Sequence, residues 1–305
     1  MAGIVNLKDY DLVFTTSFEH THGISGHIYE MIEYHHVCSI AGIRCAVLLP
    51  DGTTRDQLRQ AVVNKYDFDD QELSALLNHT FENLRPNIIV TRNLCITDGS
   101  SRLNRATVYA DNAILLRCFD KDFSYFKNHP SIKRTFLLQD FDVYPERDLP
   151  VQTVDYVKKI LWGRYRRPAE VKTETALLYL TTNCRALTKS QVLLITEKYS
   201  YQRYLILANN VEAYQELPDN IRVVCPPVLN IFENFDTYIY TSTNRKADCS
   251  PRFIVECAVF GKKVEYEIDY VDPGVEARKR AITNNLGALE LTPLDQFVVL
   301  VKELI

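Results

Sequence analysis

"YTSTNRKADCSPRFIVECAVFGKKVEY" (240–266) is the stretch whose reading decides the fold. Its start belongs to an apolar, aromatic run, "FDTYIYTS" (235–242), that fits a buried strand. Ser250 is a natural N-cap, Pro251 suits a first helical turn because its missing N–H needs no partner there, and Gly261 is a usual helix stop. A helix over 251–260 follows, and "KVEYEI" (263–268) reads as the next strand. Strand, helix and strand within about 35 residues make a βαβ unit, the building block of a parallel sheet. Inside the helix, Phe253, Ile254, Val255, Ala258, Val259 and Phe260 are apolar and Glu256 is not. A carboxylate in that setting needs a partner, either a ligand or a neighbouring Arg.

The rest of the chain repeats this alternation. In the first half, strands are expected at 10–17, 43–50, 87–92, 112–119 and 132–139, with helices at 27–42, 69–85 and 154–167. A second series begins at 175–183 and continues with a helix at 188–200, a strand at 204–208, a short helix at 210–218 and a strand at 221–226. The amphipathic "PLDQFVVLVKELI" closes the chain. The organisation expected is two successive doubly wound α/β domains, 1–168 and 169–305, hinged near 165–174, with the last helix free to pack back on the first domain.

Composition agrees with this and narrows the class. At 305 residues, 46% of them hydrophobic, with 10 Gly and 12 Pro, the chain can bury two cores and has no disordered signature. "MAGIVNLKDYDLVFTT" carries charges where a signal peptide's apolar region would lie, and no apolar run reaches the ~18 residues of a membrane span. The eight Cys contain no C-x-x-C pair. A cytoplasmic, monomeric protein without membrane contact is the expectation. The net charge of −4 is uneven: residues 1–84 carry 5 Lys and Arg against 12 Asp and Glu, whereas residues 85–167 carry 15 against 9. A basic middle third suits an anionic partner or, equally, an ordinary solvated face.

Three constellations can carry chemistry. The first, "EHTHGISGH" (19–27), follows the first strand; Gly23 suits close approach of a ligand to the backbone, and Glu19 and His22 lie where open α/β sheets bind ligands. The G-x-G of a dinucleotide fingerprint is missing, which counts against a nicotinamide-dependent oxidoreductase even though Asp51 follows the second strand. In the second, "TTNCRALTKSQ" (181–191), Arg185 and Lys189 are four apart, on one face of an incipient helix, spaced to grip phosphates or simply to be solvated. The third is the opening stretch. Arg245, Lys246 and Arg252 surround a helix start that already favours anions, and Glu256 lies about as far along as a ribose lies from its diphosphate.

These pieces resemble the GT-B glycosyltransferases. "HGISGHIYEMIEYHHVCSIAGIRCAVLLP" (22–50) is similar to that family's first loop, helix and second strand, and "DCSPRFIVECAVFGK" (248–262) to its donor-binding element. The resemblance implies two Rossmann-like domains facing across a cleft, the N-terminal one holding an acceptor and the C-terminal one a UDP-sugar, with no obligatory cofactor or metal. It implies that Glu256 takes the ribose and that Arg252 or the Ser250 backbone takes a phosphate. A narrower resemblance is to the T-even phage glucosyl- and arabinosyltransferases of 5-hydroxymethylcytosine in DNA. It rests on the basic pair Arg185 and Lys189 after a strand and on an Arg shortly before an acid, here Arg252 and Glu256 with one extra residue between.

The chemistry implied is displacement at the sugar's anomeric carbon, glucose or a pentose such as arabinose. Asp98 is the first choice of base, followed by His22 and Glu19, and Arg102 and Arg105 are the expected contacts to DNA phosphates. A saccharide acceptor and a non-catalytic nucleotide-binding module are the competing readings.

Overall fold

The computed structural model describes residues 5–15, 26–49, 52–82, 88–90, 94–97, 107–115, 134–137, 152–153, 164–169, 172–180, 187–226, 228, 230–241, 252–267 and 297–305. The chain divides into two compact units, Met1–Tyr165 with Gly287–Ile305, and Arg166–Leu286.

In the first unit the described elements are β1 (Val5–Asn6), β2 (Leu12–Thr15), α1 (Gly26–Ile40), β3 (Cys45–Leu48), α2 (Arg55–Lys65), α3 (Asp70–Asn78), β4 (Thr80–Phe81), β5 (Ile88–Val90), β6 (Leu94–Thr97), β7 (Thr107–Tyr109), β8 (Asn112–Leu115), β9 (Arg134–Leu137) and β10 (Gln152–Thr153). The larger sheet runs β10-β9-β8-β6-β2-β3-β4 with every pairing parallel, and β1, β5 and β7 form a separate three-stranded sheet. Chain order therefore starts at β2, walks outward through β3 and β4, returns to β6 on the other side and walks outward again. That is the doubly wound order, with its switch between β2 and β6.

Helix α1 is buried on nearly every side, so its polar residues need internal partners. Tyr34 Oη donates to Glu30 Oε1 at 3.1 Å. Glu33 Oε1 accepts from Tyr66 Oη at 2.6 Å and from Tyr165 Oη at 3.0 Å. His36 stacks on Phe68 with ring centroids 4.6 Å apart. Gly42, at φ +80°, ends the helix in the left-handed conformation that glycine adopts without strain. The helical residues 297–304 belong to this unit: Asn112 Nδ2 donates to the Leu304 carbonyl at 3.0 Å, and Phe297 lies against Tyr34 with centroids 4.2 Å apart.

Three expectations change here. A helix at Arg55–Lys65, started by the reciprocal Thr54–Gln57 capping box, is an addition. The helix expected over 69–85 stops at Asn78, because Thr80 and Phe81 pair with Val47 and Leu48 as an edge strand. Of the helix expected over 154–167, only 164–167 lies among the described residues, and it is not α-helical: Tyr165 forms an antiparallel bridge with Tyr66, and Asp67 N–H donates to the Arg164 carbonyl at 2.7 Å.

The second unit contains β11 (Thr175–Tyr179), α4 (Lys189–Tyr199), β12 (Arg203–Leu207), β13 (Ile221–Val224), β14 (Thr237–Thr241), α5 (Arg252–Val259) and β15 (Lys263–Glu267). Its sheet is wholly parallel, in the order β13-β12-β11-β14-β15. Side chains alternate across it. Ala176, Leu178, Leu180, Ile206 and Ile239 meet Val192 and Ile195 of α4, while Leu177, Leu205, Tyr238 and Tyr240 meet Ile254 and Cys257 of α5. The period of two in these strands is thus what gives the unit two cores. Truncating Leu178 to Ala would cost about 2–5 kcal/mol. The short helix expected at 210–218 is a single 3-10 turn, Val211–Tyr214. The α/β class, with two Rossmann-like doubly wound units, agrees with the expectation.

Candidate functional site

In the second unit β11 and β14 are neighbours, with Leu178 and Ile239 in register. From β11 the chain crosses to β12 through α4 on one face; from β14 it crosses to β15 through α5 on the other. The connections leaving the carboxyl ends of these two strands diverge, and open α/β sheets bind ligands at such switch points. The two segments singled out in the sequence, 181–191 and 240–252, are these two connections. The described strands that lead into these two segments, β11 and β14, are adjacent, although they stand about 60 residues apart in the chain.

Both helices after the junction begin with a cationic residue. Thr188 caps α4 through a reciprocal box with Gln191, and Lys189 is its first residue. Lys189 Nζ lies 3.5 Å from a carboxylate oxygen of Glu216, a side chain almost wholly in solvent. An ion pair of that exposure contributes little, about 0–1 kcal/mol, and leaves the lysine's position set mainly by the helix. Arg252 opens α5 as described, and its Nε donates to Glu256 Oε1 at 2.8 Å with both side chains buried. Glu256 thus has the neighbouring-Arg partner that the sequence left open, one turn away in its own helix. Gly261, at φ +66°, stops α5 as expected. Arg185, Arg245, Ser250 and Pro251 lie outside the described residues.

An aromatic pair lines the same region of the sheet. Tyr179, the last residue of β11, meets Phe253 edge-to-face with centroids 5.2 Å apart, and Phe253 also packs on Phe232 and Tyr238. Upstream, Asp236 holds the entry to β11: one of its oxygens accepts from the N–H of Thr173 at 2.8 Å and that of Glu174 at 2.5 Å.

The first unit repeats the arrangement. Thr15 and Thr97 end the switch strands β2 and β6 and are in register. Asp98 is the next residue after Thr97, and Glu19, His22 and Gly23 follow Thr15 within the connection to α1. Asp98, Glu19, His22, Gly23, Arg102 and Arg105 all lie outside the described residues. Sequence reasoning passed over Thr241, the buried last residue of β14. A polar residue ending a strand whose preceding residues are apolar is the signal that marks it. Among the described residues, no group of three or more His, Cys, Asp or Glu is placed to hold a metal, and no helix is long and apolar enough to cross a membrane.

No family model matches the chain, and no curated protein matches it significantly in sequence. Several solved structures are similar in fold at low identity. A glycosyltransferase from Rickettsia africae is 11% identical, covering 96% of this chain and 93% of its own, with a TM-score of 0.46. Anabaena Alr3699/HepE, solved in complex with UDP and glucose, is 9% identical over 96% of this chain and 95% of its own, with a TM-score of 0.44. Phytolacca americana UGT2, complexed with UDP-2fluoro-glucose and pterostilbene, is 12% identical over 96% and 89%, with a TM-score of 0.41. Likeness at this level is distant, and the fold assignment rests on the strand orders given above.

Proposed function

We propose that the protein is a glycosyltransferase that binds a UDP-sugar at the β11/β14 junction of the second unit and passes the sugar to a hydroxyl held by the first. The observation that supports this most is that β11 and β14 are neighbours at a switch point and that the helix following each of them starts with a cation. A nucleoside diphosphate is the ligand such a junction suits, since helix starts and basic side chains meet its phosphates.

In the reaction, the acceptor oxygen bonds to the anomeric carbon while the bond from that carbon to the diphosphate oxygen breaks, and the electron pair leaves with the diphosphate. Arg185, Lys189, Arg245 and Arg252, with the Ser250 backbone, stabilise the charge that develops there. Arg252 and Glu256 enter as a pair, the carboxylate fixing the guanidinium beside the phosphates and meeting the ribose. The acceptor's proton passes to Asp98, with His22 and Glu19 the alternative bases, and Gly23 lets the first loop approach the donor. No metal or cofactor is required by this scheme.

The acceptor we favour is 5-hydroxymethylcytosine in DNA, with Arg102 and Arg105 on backbone phosphates and the target base flipped from the stack. A saccharide acceptor keeps every other assignment, and the modest excess of 15 basic over 9 acidic residues in 85–167 favours it. One experiment separates them: incubation of hydroxymethylcytosine DNA and unmodified DNA with a panel of UDP-sugars, followed by mass spectrometry of the digested nucleosides. A mass gain confined to hydroxymethylcytosine establishes the acceptor, and its increment distinguishes pentose from hexose. No gain in either DNA, with the UDP-sugar bound, moves the acceptor to a saccharide.

A further inference from the structure

Thr241 ends β14, in register with Glu267 of β15. Two residues before it, Ile239 packs on the α4 face of the sheet together with Leu178 and Leu180 of the adjacent β11. By the period of two, Thr241 stands on that same face. The residue is 2% exposed, and its hydroxyl is enclosed without a hydrogen-bond partner. Two other buried threonines put the group to use: Thr80 Oγ1 donates to the Leu76 carbonyl at 2.8 Å, and Thr175 Oγ1 to the Thr173 carbonyl at 3.1 Å. Valine has the same branched shape and the same fitness for a strand, without a hydroxyl to desolvate. For packing alone, Thr241 is the poorer choice.

The position says what the hydroxyl is for. It lies at the carboxyl terminus of one switch strand, on the face covered by α4, the helix that begins with Lys189. We infer that Thr241 is a ligand contact, its hydroxyl donating to a phosphate oxygen of the nucleoside diphosphate; this rests on the nucleotide reading above. Enclosure strengthens such a bond, because water does not compete for the donor.

The test is calorimetric titration of UDP and of uridine into the wild-type protein, Thr241→Val and Thr241→Ser, with the melting midpoint of each. Thr241→Val is expected to melt at or above the wild-type midpoint and to bind UDP about tenfold more weakly or worse, with uridine unaffected. Thr241→Ser, which keeps the hydroxyl, is expected to bind UDP within about threefold of wild type. Wild-type UDP affinity in Thr241→Val overturns the inference, whatever happens to its midpoint. Equal losses for UDP and uridine overturn the phosphate assignment, and failure of Thr241→Ser to retain binding shows that packing was responsible. A wild-type protein that binds no UDP instead refutes the nucleotide reading, and the inference falls with it.

Discussion

Arg252 Nε and Glu256 Oε1 lie 2.8 Å apart across one turn of α5, and the two side chains retain only 7% and 5% of their exposure. Removing one member of a buried pair leaves a charge without its counterpart, whereas replacing both with apolar residues is often neutral. Glu256→Ala is therefore expected to lose about 3–5 kcal/mol in urea unfolding. The double variant Arg252→Met with Glu256→Leu is expected to recover most of that loss. UDP titration of the double variant separates the two roles. Under the proposed function it folds but binds UDP about tenfold more weakly, and wild-type affinity would make the pair a purely structural staple.

Glu33 joins residues that are far apart in the chain. Tyr66 and Tyr165 both donate to its Oε1, and the same region carries the Arg164–Glu72 ion pair and Lys65 Nζ over the Tyr29 ring at 3.9 Å. Hydrogen bonds to a charged acceptor are worth about 1.5–3 kcal/mol, so Tyr66→Phe and Tyr165→Phe are each expected to lower stability by about that much. Because both serve one carboxylate, the double variant should depart from the sum of the singles. Strict additivity in a double-mutant cycle by urea unfolding would show that the two hydroxyls act independently.

Much of the fold was legible because its signals are local. The strands β2, β3 and β11 are apolar runs bounded by turns, and α1 ends at Gly42 as its sequence indicates. Helix α2 escaped notice because "RDQLRQAVVNK" buries only Leu58, Ala61 and Val62, too narrow a stripe to stand out, and its clearest mark is the Thr54–Gln57 capping box. The true end of α3 was hidden for a different reason. Nothing in 79–85 breaks a helix, and the pairing of Thr80 and Phe81 with β3 decides the matter. Strand order is likewise a tertiary property, so the adjacency of β11 and β14 had no trace in the sequence, although each strand was visible alone. The partner of Glu256 was within reach, since Arg252 lies four residues before it.

His35 is buried beside Phe14, its Nδ1 3.4 Å from Ser39 Oγ, and its Nε2 has no partner. Burial, with His79 and His36 adding positive charge nearby, lowers its pKa from 6.5 to about 4. The folded state thus binds this proton less readily than the unfolded chain. Its contribution to stability is fully present above pH 6.5 and is lost as pH falls from there toward about 4. The drop is of the order of 3 kcal/mol, and His36, also held low by burial, acts in the same direction. Urea midpoints measured across this window should fall with acidification, and less steeply in His35→Gln. An unchanged slope in that variant would assign the acid sensitivity to other groups.

Lys189 offers the cleanest separation of binding from stability. Its contact with Glu216 spans 3.5 Å and its partner is 91% exposed, so neither Lys189→Ala nor Glu216→Gln should change the unfolding free energy by more than about 1 kcal/mol. Their effects on the donor should differ. Under the proposed function Lys189→Ala removes a charge that meets the diphosphate, and it is expected to raise the KM for a UDP-sugar about tenfold, with a weaker salt dependence than wild type. Arg185→Ala should behave in the same way, whereas Glu216→Gln should leave the KM unchanged because its carboxylate only borders the lysine. Steady-state kinetics at two ionic strengths checks all three. If Lys189→Ala and Glu216→Gln shift the KM alike, the lysine acts through its surface ion pair, and the start of α4 is not where the diphosphate binds.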